Sequence, residues 1–372
     1  MTTFSKLGVQ KRFVQALDEL GIQQPTPIQE KALPALLSSE VDFIGLAQTG
    51  TGKTATFGLP ILQKIDPAKP VVQALILAPT RELVQQIKKQ LFKFTKYNNA
   101  KIFVEDVYGG EKIERQISAL RRTTHIIVAT PGRLIDLLAK KSINLQHITT
   151  LVLDEADEML SMGFKQELNS ILEQTNGDRN LWLFSATMPA EIKKIIKMYM
   201  DPNALKVEVN KNSEVNENIT HQYVTTNIPE KITLLVRFLE QRPKERGIIF
   251  CRTKAGTQKI MHVLKEKGFS VEALEGDMQQ KERDKVMRAF KNESLQVLVS
   301  TDVSARGIDV QNLNFVLHHQ LPEQLEYYTH RSGRTARAGK KGVSLAFILS
   351  NEMHQIQELQ KKLGIQFSEI RL

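Results

Sequence analysis

The stretch from Ala47 to Thr54 reads A-Q-T-G-T-G-K-T, with an apolar run before it (41–46) and a helix-compatible segment after it (55–64). In a loop between a strand and a helix, glycines let successive backbone N–H groups face one anion, and the helix N-terminus adds positive potential. Lys53 can then reach the outer phosphates of a nucleotide, and the Thr54 hydroxyl can hold Mg²⁺. We therefore predict a phosphate-binding loop made of Ala47, Gln48, Thr49, Gly50, Thr51, Gly52, Lys53 and Thr54.

This octet does not by itself exclude a glycine-rich turn followed by a chance Lys-Thr pair, because short motifs also match by accident. It also has Ala47 where the general pattern has glycine. Other parts of the chain have to decide between these interpretations.

Length and composition indicate an ordinary two-domain protein. The 372 residues suit two domains that each bury a core, and 41% of them are hydrophobic and 25% charged. No apolar run is long enough to span a bilayer and the N-terminus lacks a signal-peptide pattern, so we expect no membrane association and a cytoplasmic location. The single cysteine, Cys251, cannot form an intrachain disulfide, and we expect it buried at a strand end.

The formal charge of +10 is spread over the whole chain: residues 1–205 carry 25 Lys and Arg against 21 Asp and Glu, and residues 206–372 carry 26 against 20. A polyanion in contact with both halves would suit this distribution. Many basic proteins bind no nucleic acid, however, so charge alone leaves that question open.

Apolar runs of strand length alternate with helical patterns along most of the chain, beginning with a predicted helix over residues 4–20. This alternation indicates an α/β fold with mainly parallel sheets covered by helices on both faces. A polar segment at 210–218 interrupts it, after which it resumes without a second phosphate loop and ends with a helix at 352–363. We predict a first domain at 1–205, a linker at 206–218 and a second domain at 219–372.

About a hundred residues after Lys53, a predicted strand ends in D-E-A-D, from Asp154 to Asp157. Carboxylates at the carboxyl end of a parallel strand, beside a phosphate loop, are where a nucleotide-bound Mg²⁺ needs them. We expect Asp154 to hold Mg²⁺ through water and Glu155 to orient or deprotonate the attacking water. A solvated acidic turn is the alternative when the tetrad is taken alone.

Nine further motifs occur in a fixed order along the chain. They are G-I-Q-Q-P-T-P-I-Q (21–29), P-T-R-E-L (79–83), G-G (109–110), T-P-G-R (130–133), S-A-T (185–187), F-C-R-T (250–253), E-G-D-M-Q-Q-K-E-R (275–283), S-T-D-V-S-A-R-G-I-D (300–309) and H-R-S-G-R-T-A-R-A-G (330–339). With the phosphate loop and D-E-A-D, they make the chain, from Phe4 to about Leu363, resemble the DEAD-box RNA helicases of superfamily 2. The resemblance implies two tandem RecA-like domains, ATP and Mg²⁺ as cofactors, and ATP-dependent local separation of RNA strands without long translocation.

The resemblance assigns roles to the motif residues. Gln29 would read the adenine edge while Phe4 packs on its face, and Asp309 would contact the ribose. RNA-backbone contacts would come from Pro79, Thr80, Arg81, Gly109, Gly110, Thr130, Pro131, Gly132, Arg133, Arg252, Thr253, Gly276 and Thr301. Taken singly, several of these positions are also ordinary helix caps, and Phe4 is also a plausible core aromatic.

Coupling between hydrolysis and unwinding is implied for Asp157, Ser185, Thr187, Arg306, His330 and Arg331. We expect Ser185 and Thr187 to bond the D-E-A-D carboxylates. A helix face of Arg331, Arg334 and Arg337 would repel itself without an anion, and the resemblance makes Arg334 and Arg337 arginine fingers to the γ-phosphate.

The chain departs from the family pattern at three motif positions. Glu275 stands where the family usually has histidine, Ser332 where it has isoleucine, and Ala336 where it has glycine. Any role of residue 275 is therefore in doubt, while Ser332 and Ala336 are small enough to leave the arginines in place.

Three functional interpretations remain at this point: an RNA helicase, an ATP-gated RNA clamp with slow turnover, and a DNA helicase or translocase of the same superfamily. The intact Glu155, Arg334 and Arg337 argue against the clamp, and the adenine motif with D-E-A-D argues against the DNA enzyme. We expect a monomer that binds RNA mainly by contacts with the RNA backbone. We also expect partner proteins to direct it to its targets. The RNA substrate and the pathway are not encoded in these motifs.

Overall fold

The structure is a computed structural model that describes residues 2–48, 50–175, 177–209, 218–305, 310, 313–325, 327–336 and 340–372. The chain divides into two compact units, residues 1–210 and 211–372. Each unit contains a seven-stranded sheet with helices around it, and every strand pairing in the described residues is parallel. The predicted α/β class is therefore confirmed.

The strands of the first unit are β1 Phe43–Leu46, β2 Ala74–Leu77, β3 Val104–Val107, β4 Ile126–Ala129, β5 Thr150–Leu153, β6 Asn180–Ser185 and β7 Leu205–Glu208. Their order in the sheet is β3-β4-β2-β5-β6-β1-β7. The central strands are apolar throughout because both faces are covered: Val152 lies in one core cluster, while its neighbours Leu151 and Leu153 lie in the other.

The helices of the first unit are α1 Lys11–Glu19, α2 Pro27–Ser38, α3 Lys53–Lys64, α4 Arg81–Phe94, α5 Ile113–Leu120, α6 Pro131–Ala139, α7 Ala156–Ser161, α8 Lys165–Gln174 and α9 Ala190–Tyr199. The single helix predicted over residues 4–20 is wrong. A 3-10 helix, Ser5–Leu7, ends at Gly8, whose φ of 95° is left-handed, and α1 then starts at Lys11.

The first sheet extends further along the chain than the sequence suggested. Strand β7 pairs with β1 and runs to Glu208, into the segment assigned to a linker. Val207 is buried and the other three residues of β7 are half-buried or exposed, a pattern typical of an edge strand. Such a short, half-polar segment carries little hydrophobic signal, which is why sequence periodicity missed it.

The second unit repeats this topology. Its strands are β8 Ile219–Thr225, β9 Gly247–Phe250, β10 Val271–Leu274, β11 Val297–Ser300, β12 Phe315–His318, β13 Gly342–Ile348 and β14 Phe367–Glu369. Their order, β10-β11-β9-β12-β13-β8-β14, is the order of the first sheet with each strand number raised by seven. The final strand, β14, was not predicted; its residues are half-buried or exposed.

The helices of the second unit are α10 Lys231–Glu240, α11 Lys254–Glu266, α12 Gln280–Lys291, α13 Asp302–Ala305, α14 Tyr327–Ser332 and α15 Met353–Leu363. A 3-10 helix, Ser350–Glu352, precedes α15. Cys251 is buried at the end of β9, as expected, and burial raises the pKa of its thiol to about 12. In the part of the chain that the structure describes, no helix is both long and apolar enough to cross a membrane.

Candidate nucleotide site and nucleic-acid contacts

The predicted phosphate loop lies between the end of β1 and the start of α3. Gly50 and Gly52 have φ values of 86° and 89°, in the left-handed region that favours glycine. A Cβ on Gly52 would come within 2.4 Å of the Gln29 Nε2 atom, so no larger residue fits there without a shift. Thr51 closes the loop by donating its hydroxyl to the Gln48 carbonyl over 2.8 Å.

Lys53 is the first residue of α3, and its side chain is 6% exposed. Its Nζ atom is buried without a hydrogen-bond partner and lies 3.9 Å from Asp154 Oδ1. Burying an ammonium group whose N–H donors have no acceptor costs free energy, so the site favours an anion at this position. A phosphate at the N-terminus of α3 would satisfy it, which shows that the residues present suit a nucleotide.

Asp154 and Glu155 follow β5, next to this lysine. Burial raises the pKa of Asp154 to about 6, the positive charge of Lys53 opposes this shift, and the Glu155 carboxylate adds to it. Glu155 has a φ of 52°, a strained value for a residue with a side chain, and it precedes the first turn of α7. Strain of this kind persists where the surroundings hold a side chain in a required direction.

Within the described ranges, no group of three or more His, Cys, Asp or Glu side chains could hold a metal ion by itself. Magnesium in nucleotide-hydrolysing sites takes few protein ligands and completes its shell with phosphates and water. Asp154, together with the half-buried Thr54 beside Lys53, fits that mode of binding.

The S-A-T segment contacts the D-E-A-D segment through Asp157. One oxygen of Asp157 accepts hydrogen bonds from the backbone N–H of Thr187 (2.9 Å) and from its hydroxyl (2.8 Å). Ser185 instead donates to the Thr187 carbonyl over 2.7 Å. The expectation is therefore right for Thr187 and wrong for Ser185, whose bond fixes the turn that carries Thr187.

The G-I-Q-Q-P-T-P-I-Q segment holds the phosphate loop from one side. The Gln29 amide donates to the Gly52 carbonyl (3.0 Å) and accepts from the Thr26 N–H (2.9 Å), and Thr26 donates its hydroxyl to the Thr51 carbonyl (2.8 Å). Gln29 is 2% exposed. Phe4 is also 2% exposed and belongs to the first core cluster, so the structure gives its ring a packing role.

The expected RNA contacts of the first unit lie at one edge of its sheet. Pro79 to Arg81 follow β2, Gly109 and Gly110 follow β3, and Thr130 to Arg133 follow β4, and these three strands are neighbours. The Arg81 guanidinium lies so close to Gly110 that a Cβ there would meet it at 2.1 Å. The structure thus brings these three motifs together.

Three of these positions also have ordinary structural roles. Thr80 caps α4, its hydroxyl accepting from the Leu83 N–H over 3.3 Å. Arg133 donates to the Glu111 carbonyl (3.1 Å) and to the Gln116 side chain (3.0 Å), which ties α6 to the segment after Gly110. Pro131 starts α6, as expected for proline in a first turn.

The second unit shows the same arrangement at its own sheet edge. Arg252 and Thr253 follow β9, Gly276 follows β10 and Thr301 follows β11, and these three strands are also neighbours. Thr253 caps α11 by accepting from the Gly256 N–H over 3.0 Å. The unusual Glu275 accepts a hydrogen bond from the Gln258 amide over 2.9 Å, a contact that holds this loop against α11.

The arginine segment differs from the expected helix face, because α14 ends at Ser332, before Arg334. Arg331 is 2% exposed and donates to both carboxylate oxygens of Asp302, over 2.5 and 2.7 Å. A protein carboxylate therefore neutralises Arg331, and the argument that all three arginines need an external anion is wrong for this one. Arg334 is 8% exposed, and His330 packs edge-on against the Tyr327 ring.

Four of the predicted site residues, Thr49, Arg306, Asp309 and Arg337, lie outside the described residues. Sequence reasoning also missed two residues that contact predicted site residues. Thr26 had a signal, because threonine three residues before glutamine, at the start of a helix, is typical of a capping box. The signal for Asp302 was weaker: it is a carboxylate that follows the buried strand β11.

Comparison with known proteins identifies the family. Residues 26–195 match the DEAD/DEAH box helicase model, and residues 230–339 match the helicase conserved C-terminal domain model. The DEAD-box ATP-dependent RNA helicase CshA of Geobacillus kaustophilus is 40% identical over 362 residues, which cover 97% of this chain and 76% of the relative. The chain belongs to the DEAD-box RNA helicase family. ATP-dependent RNA helicase CshA of Limosilactobacillus reuteri is 42% identical over 360 residues, covering 96% and 71%.

Solved DEAD-box structures share the fold of the whole chain. Saccharomyces cerevisiae Dbp5 bound to RNA and ADP BeF3 superposes with a TM-score of 0.91 at 32% identity, covering 100% of this chain and 96% of Dbp5. Mss116p bound to single-stranded RNA and AMP-PNP gives a TM-score of 0.90 at 32% identity, covering 100% and 80%. The prediction of two tandem RecA-like domains is confirmed for this DEAD-box chain.

Proposed function

We propose that this DEAD-box chain is an ATP-dependent RNA helicase whose ATP hydrolysis is stimulated by RNA and drives local separation of short duplexes or remodelling of RNA–protein contacts. The observation that carries the proposal is the Lys53 ammonium, buried without a hydrogen-bond partner beside Asp154 at the start of α3. Within this family, that position calls for the outer phosphates of ATP.

The residues of the first unit divide the work of hydrolysis. The backbone N–H groups of the loop from Ala47 to Thr54 and the Lys53 ammonium would hold the phosphates. Magnesium, bound by Thr54 and through water by Asp154, would neutralise charge on them when present. Glu155, held in its strained conformation after β5, would orient the attacking water and accept its proton. Arg334 and Arg337 would stabilise the charge that develops on the transferred phosphate.

RNA binding is supported by the grouping of motifs at one edge of each sheet. Threonine hydroxyls, N–H groups at helix starts and arginines there suit consecutive phosphates of one strand rather than base edges. Asp157 and Thr187 would link this region to the ATP site, because their two hydrogen bonds join the segments that follow β5 and β6. Arg306, His330 and Arg331 would complete that link in the second unit.

We further propose that the protein acts as a monomer in the cytoplasm and that partner proteins direct it to particular RNAs. The single buried free cysteine suits a reducing compartment. Light scattering coupled to size exclusion would test the monomer, and an apparent mass near twice 42.2 kDa would contradict it.

The test is steady-state ATP hydrolysis without nucleic acid, with single-stranded RNA and with DNA of the same sequence, beside Lys53→Ala and Arg334→Ala. We expect strong stimulation by RNA alone, loss of turnover in both variants and only a modest loss of ATP affinity in Arg334→Ala. Equal stimulation by DNA would favour the DNA translocase, and no stimulation with slow turnover would favour the RNA clamp. Near-normal turnover of Arg334→Ala would rule out its catalytic role.

A further inference from the structure

A chain of hydrogen bonds between buried side chains joins α14 to the second sheet. Tyr328 Oη lies 2.6 Å from His221 Nδ1 and 2.9 Å from Ser344 Oγ. Ser344 Oγ also lies 2.9 Å from Ser332 Oγ and 3.1 Å from His318 Nε2. We call these five residues, His221, His318, Tyr328, Ser332 and Ser344, the buried polar network.

The buried polar network spans three adjacent strands and one helix. His318 is on β12, Ser344 on β13 and His221 on β8, which are consecutive in the sheet, while Tyr328 and Ser332 are on α14. Ser344 and His221 are register partners. None of the five is more than 5% exposed. Polar side chains at such positions are costly unless paired, and a paired network holds its elements in one arrangement.

The hydrogen-bond donors can be assigned because arginine only donates. Arg331 Nη1 lies 3.4 Å from His318 Nδ1, so Nδ1 accepts and the proton of the neutral ring is on Nε2, which donates to Ser344. Burial and the nearby Arg331 charge lower the pKa of His318 well below its usual value, consistent with a neutral ring. Arg331 in turn binds Asp302, so the hydrogen bonds run without a gap from β8 to α13.

We propose that the buried polar network positions Arg334 for its part in ATP hydrolysis, with Ser332 as the residue that transmits the constraint. This inference rests on the proposed catalytic role of Arg334. Ser332 is the last residue of α14, and the Arg334 N–H bonds back to the Arg331 carbonyl over 3.1 Å. A turn that starts at a fixed helix end and closes on its own backbone gives the Arg334 backbone a defined position relative to β12 and β13.

The identity of residue 332 supports this role. The family usually has isoleucine there, which could pack against the sheet but could not hydrogen-bond to it. In this chain the Ser332 hydroxyl meets Ser344 and lies 3.4 Å from His318 Nε2. Serine in place of isoleucine at position 332 therefore has two polar partners, Ser344 and His318, on neighbouring strands. Tyr328 also belongs to a buried core cluster with Leu321, Ala346 and Ile356.

The experiment measures RNA-stimulated kcat, the KM for ATP and the melting temperature of Ser332→Ala in the full chain. Loss of one or two hydrogen bonds should lower kcat about fivefold to twentyfold with KM unchanged within about twofold. In the Arg334→Ala background, single-turnover measurement should show no further loss from Ser332→Ala, because the positioned group is gone. Tyr328→Phe, which removes only a hydroxyl from the other arm of the network, should lower kcat in the same direction.

Thr175→Val serves as the matched control, since it removes a buried hydroxyl that bonds the Ile171 carbonyl over 2.8 Å in the first unit. It should lower the melting temperature without changing kcat. A normal kcat in both Ser332→Ala and Tyr328→Phe would show a purely structural network and overturn the proposal. So would an equal loss of kcat in the presence and absence of Arg334. Normal turnover of Arg334→Ala alone would instead refute the catalytic role on which the inference rests.

Discussion

Substitution of Gln29 separates two roles that this amide can have in the nucleotide site. In the structure its Oε1 accepts from the Thr26 N–H and its Nε2 donates to the Gly52 carbonyl. A carboxamide has two acceptor and two donor positions, so one of each remains for an adenine edge. Gln29 could therefore hold the phosphate loop, read the base, or do both.

The size of the effect follows from the hydrogen bonds that are lost. Gln29→Ala removes both contacts and leaves the Thr26 N–H and the Gly52 carbonyl without them. At roughly 1 kcal/mol for each bond, unfolding of the first unit should become about 2 kcal/mol easier, or roughly 4–8 °C in melting temperature. Two further bonds lost to the base should weaken ATP binding by about tenfold or more.

The assay is a titration with fluorescent ATP and GTP analogues in the absence of RNA. The matched control is Thr26→Val, which removes the 2.8 Å bond to the Thr51 carbonyl in the same loop but keeps the Gln29 amide and the Thr26 N–H that it accepts from. We expect Thr26→Val to weaken both nucleotides equally and Gln29→Ala to abolish the preference for ATP over GTP. If Gln29→Ala keeps the wild-type preference, Gln29 supports only the loop and its assignment to adenine is wrong.

Three other variants test other parts of the site. Glu155→Gln should keep ATP binding within a few fold and reduce turnover by about 10² or more, since it removes the proton acceptor; a turnover within a few fold of wild type would refute that role. Thr187→Val removes one of two hydrogen bonds to Asp157 and should slow duplex separation several-fold more than ATP hydrolysis, whereas equal losses would contradict a coupling role. Burial lowers the pKa of His221 to about 4. The unfolded chain therefore binds more protons than the folded chain as pH falls from about 6.5 to 4, and the second unit loses up to about 3 kcal/mol of stability over this range. His221→Gln should flatten the pH dependence of the free energy of unfolding, and an unchanged slope would show that His221 is not its source.

The sequence predicted those parts of the fold in which apolar residues form a regular pattern. The central strands are continuous apolar runs because both faces of each sheet are covered, so their existence and parallel pairing could be inferred. The edge strands β7 and β14 could not, because half of such a strand faces solvent and its residues look like loop. The break between Ser5–Leu7 and α1 depends on the left-handed backbone of Gly8, which helical periodicity does not show.

For the site, the sequence indicated which residue types gather at the strand ends, but not which atoms they contact. Lys53 and Asp154 lie together as expected, because they follow β1 and β5, two strands of one sheet with only β6 between them. Ser185 bonds the Thr187 carbonyl and not a carboxylate, since a hydroxyl two residues before a free carbonyl has a closer partner. Arg331 pairs with Asp302, 29 positions away along the chain, and long-range pairings of this kind are not visible in a local motif.

At position 336 the backbone angle, and not side-chain size, is expected to set the stability cost of having alanine instead of glycine. Ala336 has a φ of 57°, a left-handed value that costs a residue with a Cβ about 1 kcal/mol or more. Ala336→Gly removes this strain but adds roughly 0.5–1 kcal/mol of unfolded-chain entropy, so it should be neutral or stabilising by up to about 1 kcal/mol in chemical unfolding. The matched control, Ala289→Gly inside α12, should destabilise by about 1 kcal/mol because that backbone is helical. Equal destabilisation in both variants would mean that residue 336 carries no strain, and size alone would then account for alanine in place of glycine.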